Sequence, residues 1–131
     1  MPRTTSTQIR VRYAETDLLG SVYYANFFTY FGVARHEHLR QIGAGLADLL
    51  RAEGITMGVL EATCRYHAPA FFDDLLTVHT RVEEVRTRTV VFAYEVERDG
   101  TPIASGRTVQ IFLKGRTPVP IPPGVREALL R

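Results

Sequence analysis

The chain has 131 residues, of which 45% are hydrophobic and 23% charged, with a formal net charge of +2 at pH 7. These values predict one soluble globular domain spanning 1–131, argue against a disordered or nucleic-acid-binding protein, and leave no apolar run long enough to span a membrane. A single cysteine, Cys64, excludes an intrachain disulfide, and the polar start 1–7 lacks the apolar core of a secretion signal, so we expect a cytoplasmic protein.

The first half of the chain predicts a strand followed by helices. Alternation of apolar and polar residues predicts the first strand at 8–13. Aromatic and aliphatic residues at helical spacing then predict a long helix over 24–43. Leu46–Glu53 is typical of a short second helix closed by Gly54.

The second half predicts strands joined mostly by short turns. Period-two alternation indicates four of them, at 56–67, 75–86, 89–98 and 102–114. Asp99–Gly100 is a strong hairpin signal, and a proline-rich tail ends in a helical turn at 125–130. Short connections favour antiparallel pairing, and the apolar face of the sheet needs a cover. The chain therefore belongs to the α+β class, with a curved five-stranded antiparallel sheet wrapped around the 24–43 helix.

The segment 13–26, between the first strand and the long helix, contains the candidate reactive group. A helix start exposes unpaired N–H groups and the positive end of the dipole, which stabilise an oxyanion. Asp17 lies a few residues upstream, where a carboxylate acts as a nucleophile or activates water. Spacing alone leaves the alternative open that Asp17 only accepts loop N–H groups and caps a turn.

Arg35 is the second unusual residue, because it falls on the apolar stripe of the long helix. A buried arginine needs a partner. We expect an ion pair with an acid such as Glu37 or Glu61, or a contact across a subunit interface. The histidines and Cys64 do not have metal-ligand spacing, and we expect no metal site.

Two segments carry a family resemblance. The first is Tyr13-x-x-Thr16-Asp17-x-x-Gly20-x-Val22-Tyr23-Tyr24-x-Asn26, followed by an aromatic helix with Ala34–Arg35; the second is Tyr66-x-x-Pro69-Ala70-x-x-Asp73-Asp74-x-Leu76. Together they resemble the hotdog-fold acyl-CoA thioesterases of the 4-hydroxybenzoyl-CoA thioesterase type. The resemblance covers nearly the whole chain, and its order of elements agrees with the order predicted above.

The resemblance implies a sheet wrapped around a central helix and the hydrolysis of a thioester to a free acid and a thiol. Asp17 matches the catalytic carboxylate of the family. The backbone N–H of Tyr24 matches the donor to the thioester carbonyl, and we expect Tyr23 and Asn26 to contact substrate. Coenzyme A enters as part of the substrate, and no separate cofactor is implied.

Further substrate contacts are expected from charged residues and from a second chain. Arg86 and Arg88 cluster at a turn between strands, where they could bind the phosphates of coenzyme A. The resemblance implies that two chains join their sheets edge to edge, so that Asp17 works against the partner's strand around Glu61 and Thr63. We therefore expect a homodimer, or a homotetramer built from two dimers.

Three alternatives stay open. The run 15–24 is also similar to thioesterases that release enediyne polyketides from a carrier protein, a branch that usually has asparagine at the Asp17 position and relies on an arginine matching Arg35. Both residues are present here, so coenzyme A and a carrier protein are both candidate substrates. A hotdog dehydratase would need a histidine in the loop 13–26, which has none. An acyl-CoA-binding sensor without catalysis is the third alternative.

Overall fold

A six-stranded antiparallel sheet forms most of the molecule in the computed structural model, which describes residues 3–131. The main strands have the spatial order β1-β3-β4-β5-β2, with the short β6 on β5. Met1 and Pro2, the start of the predicted domain, lie outside the described residues. The strands are β1 Thr5–Arg10, β2 Ile55–Tyr66, β3 Leu75–Val85, β4 Thr89–Arg98, β5 Thr101–Lys114 and β6 Thr117–Pro118.

Three helices accompany the sheet: α1 Asn26–Gln41, α2 Leu46–Glu53 and α3 Pro123–Leu130. The longest, α1, buries an apolar stripe against the sheet, as its periodicity predicts. The buried members of that stripe include Phe27, Tyr30, Phe31, Ala34 and Leu39. No helix within residues 3–131 is long and apolar enough to cross a membrane.

The centre of the core is an aromatic stack between α1 and the sheet. The rings of Phe31 and Tyr94 are parallel, with centroids 4.5 Å apart. This approach requires Gly106 on the neighbouring strand, because a Cβ there would overlap the Phe31 ring and lie 2.7 Å from the carbonyl oxygen of Thr63. The helix therefore rests directly on the backbone of β5 at this point.

The predicted curled antiparallel sheet around a helix is confirmed, but a short sixth strand, β6, joins the five predicted strands, and the first strand and the tail differ from the prediction. The prediction of a strand over 8–13 is wrong at both ends, because β1 runs from Thr5 to Arg10. Val11 still donates its N–H to the carbonyl of Asp74, at 2.9 Å, and the chain then turns away from the sheet. A 3₁₀ turn, Tyr13–Glu15, follows instead. The tail forms a full helix, α3, where only a helical turn is predicted.

Candidate active site

The loop that carries Asp17 is a small hairpin lying against the β2–β3 connection. Asp17 donates its N–H to the carbonyl of Ser21 at 2.9 Å, and Gly20 closes the turn with a φ of 81°. Ser21 pairs with Phe71, and Val22 donates its N–H to the carbonyl of Ala70 at 2.8 Å. These contacts join the hairpin to the β2–β3 connection, which is distant in the chain, and hold the loop beside the start of α1.

The Asp17 carboxylate is exposed, and among the described residues only one of its two oxygens accepts a hydrogen bond. Its Oδ1 accepts the N–H of Leu19 at 2.9 Å, a hydrogen bond of the turn-capping kind. The other carboxylate oxygen accepts no hydrogen bond from residues 3–131. Asp17 therefore caps its turn with one oxygen and presents the other to solvent.

The start of α1 lies next to this hairpin and offers free donors. Its N-cap residue, Ala25, makes no side-chain cap, and the first turn contains no acid. Asn26 donates its N–H to the carbonyl of Tyr23 at 2.9 Å. In the described part of the chain, the N–H groups of Tyr24 and Ala25 make no hydrogen bond. Unpaired N–H groups at a helix start stabilise negative charge.

An aromatic cleft of about 370 Å³ opens beside Tyr24, and we call it the Tyr66 cleft. Tyr66 donates its hydroxyl to the carbonyl of Tyr24 at 3.0 Å and meets the ring of Phe27 edge to face. Burial, together with a hydrogen bond to Cys64, raises the pKa of Tyr66 to about 12, so the hydroxyl stays protonated. The cleft is lined by Ser21, Val22, Tyr24, Phe27, Tyr66, His67, Ala68, Pro69 and Ala70.

Asp17 lines a separate, larger groove of about 740 Å³, together with Tyr13, Leu18 and Phe72. Leu18 and Leu19 at the hairpin tip are almost fully exposed. Within one chain, Asp17 and Tyr24 therefore belong to one loop-and-helix unit but face neighbouring depressions of the surface.

Glu15 is the functional candidate that sequence reasoning missed. It is 8% exposed, and its carboxylate accepts the Tyr30 hydroxyl at 2.9 Å and the N–H of Arg12 at 2.8 Å. Burial alone would raise the pKa of Glu15, but these hydrogen bonds and the Arg12 charge outweigh it and lower the pKa. The pattern Arg12-x-x-Glu15 at the start of a turn was the available signal.

The expected ion pair of Arg35 is wrong. Glu37 pairs with Arg40, one turn along the solvent side of the helix. Glu61 is exposed and forms no ion pair within residues 3–131. Arg35 points to the sheet instead and donates from Nη1 to the Tyr94 hydroxyl at 3.1 Å, while its buried Nε has no hydrogen-bond partner among residues 3–131.

Arg86 and Arg88 do not lie at the site within one chain. They lie just beyond the end of β3 that is opposite to Asp74, and the 11 residues of this strand, at about 3.3 Å each, extend roughly 36 Å between the two ends. Arg86 also forms an ion pair with Glu84 at 2.7 Å. Tyr23, which stacks obliquely on Tyr24, does lie at the site.

Glu61 and Thr63 lie midway along β2, an edge strand paired only with β5 among the described strands. Neither residue lines the groove that contains Asp17, and within residues 3–131 neither side chain forms a hydrogen bond to the hairpin. Among residues 3–131 no group of three or more His, Cys, Asp and Glu side chains is arranged to hold a metal ion.

Comparison with known proteins identifies the family. The family model described as "Thioesterase-like superfamily" matches residues 11–129, which include the hairpin, α1 and all the strands from β2 onward. The chain belongs to the thioesterase-like superfamily. This membership confirms the prediction of a thioesterase with the hotdog fold.

Individual relatives agree with this assignment. The acyl-CoA thioesterase YbgC of Haemophilus influenzae is 34% identical over 94% of this chain and 92% of that protein. The solved DHNA-CoA thioesterase of Staphylococcus aureus is 32% identical, with a TM-score of 0.89 over 95% of this chain and 87% of that chain. A 4-hydroxybenzoyl-CoA thioesterase, solved as an aspartate-to-asparagine mutant with 4-hydroxybenzoyl-CoA, is 18% identical over 97% of this chain and 99% of that chain; its TM-score of 0.90 shows the fold alone.

Proposed function

We propose that this thioesterase hydrolyses acyl-CoA thioesters, with Asp17 as the reacting carboxylate and the Tyr24 N–H as the donor to the carbonyl. The observation that carries the proposal is the pairing of a half-free carboxylate with an unbonded N–H on one loop-and-helix unit. Two relatives named for acyl-CoA or aryl-CoA hydrolysis support the choice of substrate class.

The reaction needs only these groups and water. If Asp17 is the base, it takes a proton from water, and the resulting hydroxide attacks the thioester carbon. If Asp17 is the nucleophile, its oxygen attacks the carbon, and water later hydrolyses the mixed anhydride. In both routes the oxyanion is stabilised at Tyr24, the C–S bond breaks, and the thiolate leaves and is protonated. No metal or further cofactor takes part.

The Tyr66 cleft is the proposed acyl site. Its walls are the rings of Tyr24, Phe27 and Tyr66, which favour an apolar or aromatic acyl group. Tyr23 and Asn26 lie on either side of Tyr24, and the ring of Tyr23 packs obliquely on the ring of Tyr24. The Asn26 amide donates to the Glu15 carbonyl at 2.8 Å, so it contributes to substrate contact mainly by shaping the helix start.

The proposed active unit is a dimer, because Glu61 and Thr63, which are expected to complete the site, do not line the Asp17 groove within one chain. β2 presents a free edge with Val59 and Leu60 more than half exposed, and unpaired edges favour strand addition. A partner joined there brings its own Glu61 and Thr63 to the site. Light scattering with activity measured across a dilution series tests this: full specific activity in a species of one chain's mass overturns the shared site.

The thiol half of the substrate is proposed to be coenzyme A held by Arg86 and Arg88 of the partner. Replacing both residues with alanine is expected to raise KM for acyl-CoA more than KM for the matching acyl-pantetheine, which lacks the nucleotide phosphates. Equal effects on the two substrates would contradict the assignment.

A second candidate is release of an acyl chain from a carrier protein with Arg35 in place of Asp17. It is favoured by the unpartnered Nε of Arg35 on the inner face of the sheet. An acyl-carrier protein turned over much faster than the same acyl-CoA would support it.

The deciding experiment follows thiol release with a chromogenic disulfide over a panel of aromatic and aliphatic acyl-CoAs. An enzyme-only blank corrects for Cys64, the free thiol of the protein. We expect saturable thiol release. Loss of water from a hydroxyacyl-CoA without thiol release would indicate a dehydratase, and tight binding without turnover would indicate a sensor.

A further inference from the structure

A buried carboxylate lies directly beneath the proposed site and is assigned no role in the reaction. Glu15 accepts three hydrogen bonds from two neighbours through its carboxylate. The N–H and Nε of Arg12 donate at 2.8 and 3.0 Å, and the hydroxyl of Tyr30 in α1 donates at 2.9 Å. Charged acceptors make the stronger and shorter hydrogen bonds. The carboxylate therefore ties the incoming chain to the first turns of α1.

The backbone of the same residue makes a second set of links. The Glu15 carbonyl accepts the N–H of Tyr23 at 2.9 Å and the side-chain amide of Asn26 at 2.8 Å. Asp17 is two residues after Glu15, and Tyr24 is flanked by the Tyr23 link on one side and the Asn26 link on the other. The hydrogen bonds of Glu15 therefore hold both segments that carry the proposed reacting groups, the Asp17 carboxylate and the Tyr24 N–H.

Stability alone does not account for a carboxylate at this place. A buried charge costs desolvation free energy, and apolar residues of similar volume are often as stabilising. What an apolar side chain cannot do is accept three directed hydrogen bonds that hold a loop and a helix at one separation. Reacting groups need such fixed geometry, because a misplacement of about 1 Å costs as much as a hundredfold in rate.

We propose that Glu15 is a positioning residue, which sets the separation between the Asp17 carboxylate and the Tyr24 N–H. The inference rests on the proposed function. It assigns Glu15 an effect on kcat that depends on Asp17 and leaves KM unchanged, since Glu15 does not line the Tyr66 cleft.

The first test is Glu15→Gln. The amide keeps one acceptor oxygen but places an NH₂ against one of its present donors, so at least one of the three hydrogen bonds is lost. We expect kcat to fall about tenfold or more with KM within about twofold. Glu37→Gln is the matched control, because Glu37 also pairs with an arginine at three residues' distance but lies on the solvent side of α1.

A double-mutant cycle separates positioning from general damage. If Glu15 acts through Asp17, then Glu15→Gln lowers the residual rate of an Asp17→Asn enzyme by less than about twofold, because interacting sites are not additive. A loss of the same size in both backgrounds overturns the inference. Wild-type kcat in Glu15→Gln overturns it while leaving Asp17 intact, whereas wild-type kcat in Asp17→Asn overturns the proposed function and the inference with it.

Tyr30→Phe covers the case in which Glu15→Gln does not fold. It removes one hydroxyl and keeps the ring that packs edge to face on Phe27. We expect kcat to fall about threefold, less than for loss of the carboxylate, with KM unchanged. An unchanged kcat in a folded Tyr30→Phe enzyme counts against the positioning role.

Discussion

Asp17 and Arg35 are charged side chains in different surroundings. Asp17 lies in the hairpin before α1, and Arg35 lies in the middle of that helix. Asp17 is exposed, and one of its oxygens and the nearby Tyr24 N–H have no hydrogen-bond partner in the part of the chain that the structure describes. Arg35 is half-buried and bonded to Tyr94, which in turn shares a 2.6 Å hydrogen bond with Thr108. The first group is free to meet a substrate, and the second is already committed to the fold.

The largest expected effect on kcat comes from removing the Asp17 carboxylate. Asp17→Asn is expected to lower kcat at least about a hundredfold, the lower range for a lost acid–base group. The fold should survive, because the amide still accepts the N–H of Leu19. Thiol release measures kcat, and thermal unfolding checks the fold.

Asp48→Asn is the matched control, because Asp48 is also exposed on the surface and forms an ion pair with Arg51. Near-normal turnover in both variants would remove Asp17 from the mechanism and direct attention to Arg35.

Removing the hydroxyl that binds Arg35 should lower the free energy of unfolding and leave kcat nearly unchanged. Tyr94→Phe keeps the stack on Phe31 but leaves Arg35 and Thr108 without their hydroxyl partner. Unsatisfied buried groups cost about 1–3 kcal/mol in the free energy of unfolding. Urea unfolding measures this loss, while kcat is expected to stay within about threefold. A large fall in kcat without a change in the free energy of unfolding would contradict the comparison.

Low pH should lower the stability of the fold through Glu15, which holds the Asp17 loop. The pKa of Glu15 is lowered in the folded chain by its hydrogen bonds, in spite of burial. Its contribution to stability is therefore present above the ordinary glutamate pKa and is lost as the pH falls through the lowered folded-state value. Urea midpoints of the wild type should drop over this range more than those of Glu15→Gln. Parallel curves for the two proteins would show that Glu15 is not the titrating group.

The smallest expected effect on kcat comes from replacing Arg35 itself. Arg35→Met removes the charge and keeps most of the side-chain volume, and such replacements of buried charges are often neutral or stabilising. We expect kcat within about threefold of wild type, with the same acyl preference. A hundredfold loss here, with an active Asp17→Asn enzyme, would favour the carrier-protein alternative.

The sequence predicts the elements well where the signal is local. Alternation located the four later strands, and helical spacing located α1 within two residues at each end. The predicted strand 8–13 lies later in the chain than β1, because apolar alternation continues through Val11 and Tyr13, whereas the ladder with β3 runs from Thr5 to Arg10. Alternation records which side chains face the core, and not where the backbone leaves the sheet.

Partners separated in the chain were not predictable in the same way. Arg35 and Tyr94 are 59 residues apart, and nearby acids were the only partners that spacing could suggest. Glu15 was overlooked because a single acid in a polar loop is usually solvated. Its burial depends on Tyr30, fifteen residues later, being turned toward it by α1. The family motif located Asp17 and Tyr24, but it did not show how the loop is held.

Gly106 has a consequence for how this sequence can change over time. Any other side chain there must displace both the Phe31 ring and the Thr63 carbonyl of β2. Every codon change that replaces this glycine therefore disturbs the helix and the edge strand proposed to meet the partner chain. Packing therefore rules out most substitutions of Gly106, although it lines neither the Tyr66 cleft nor the groove of Asp17, whereas packing within the chain sets no such limit on Leu18 and Leu19 at the exposed hairpin tip.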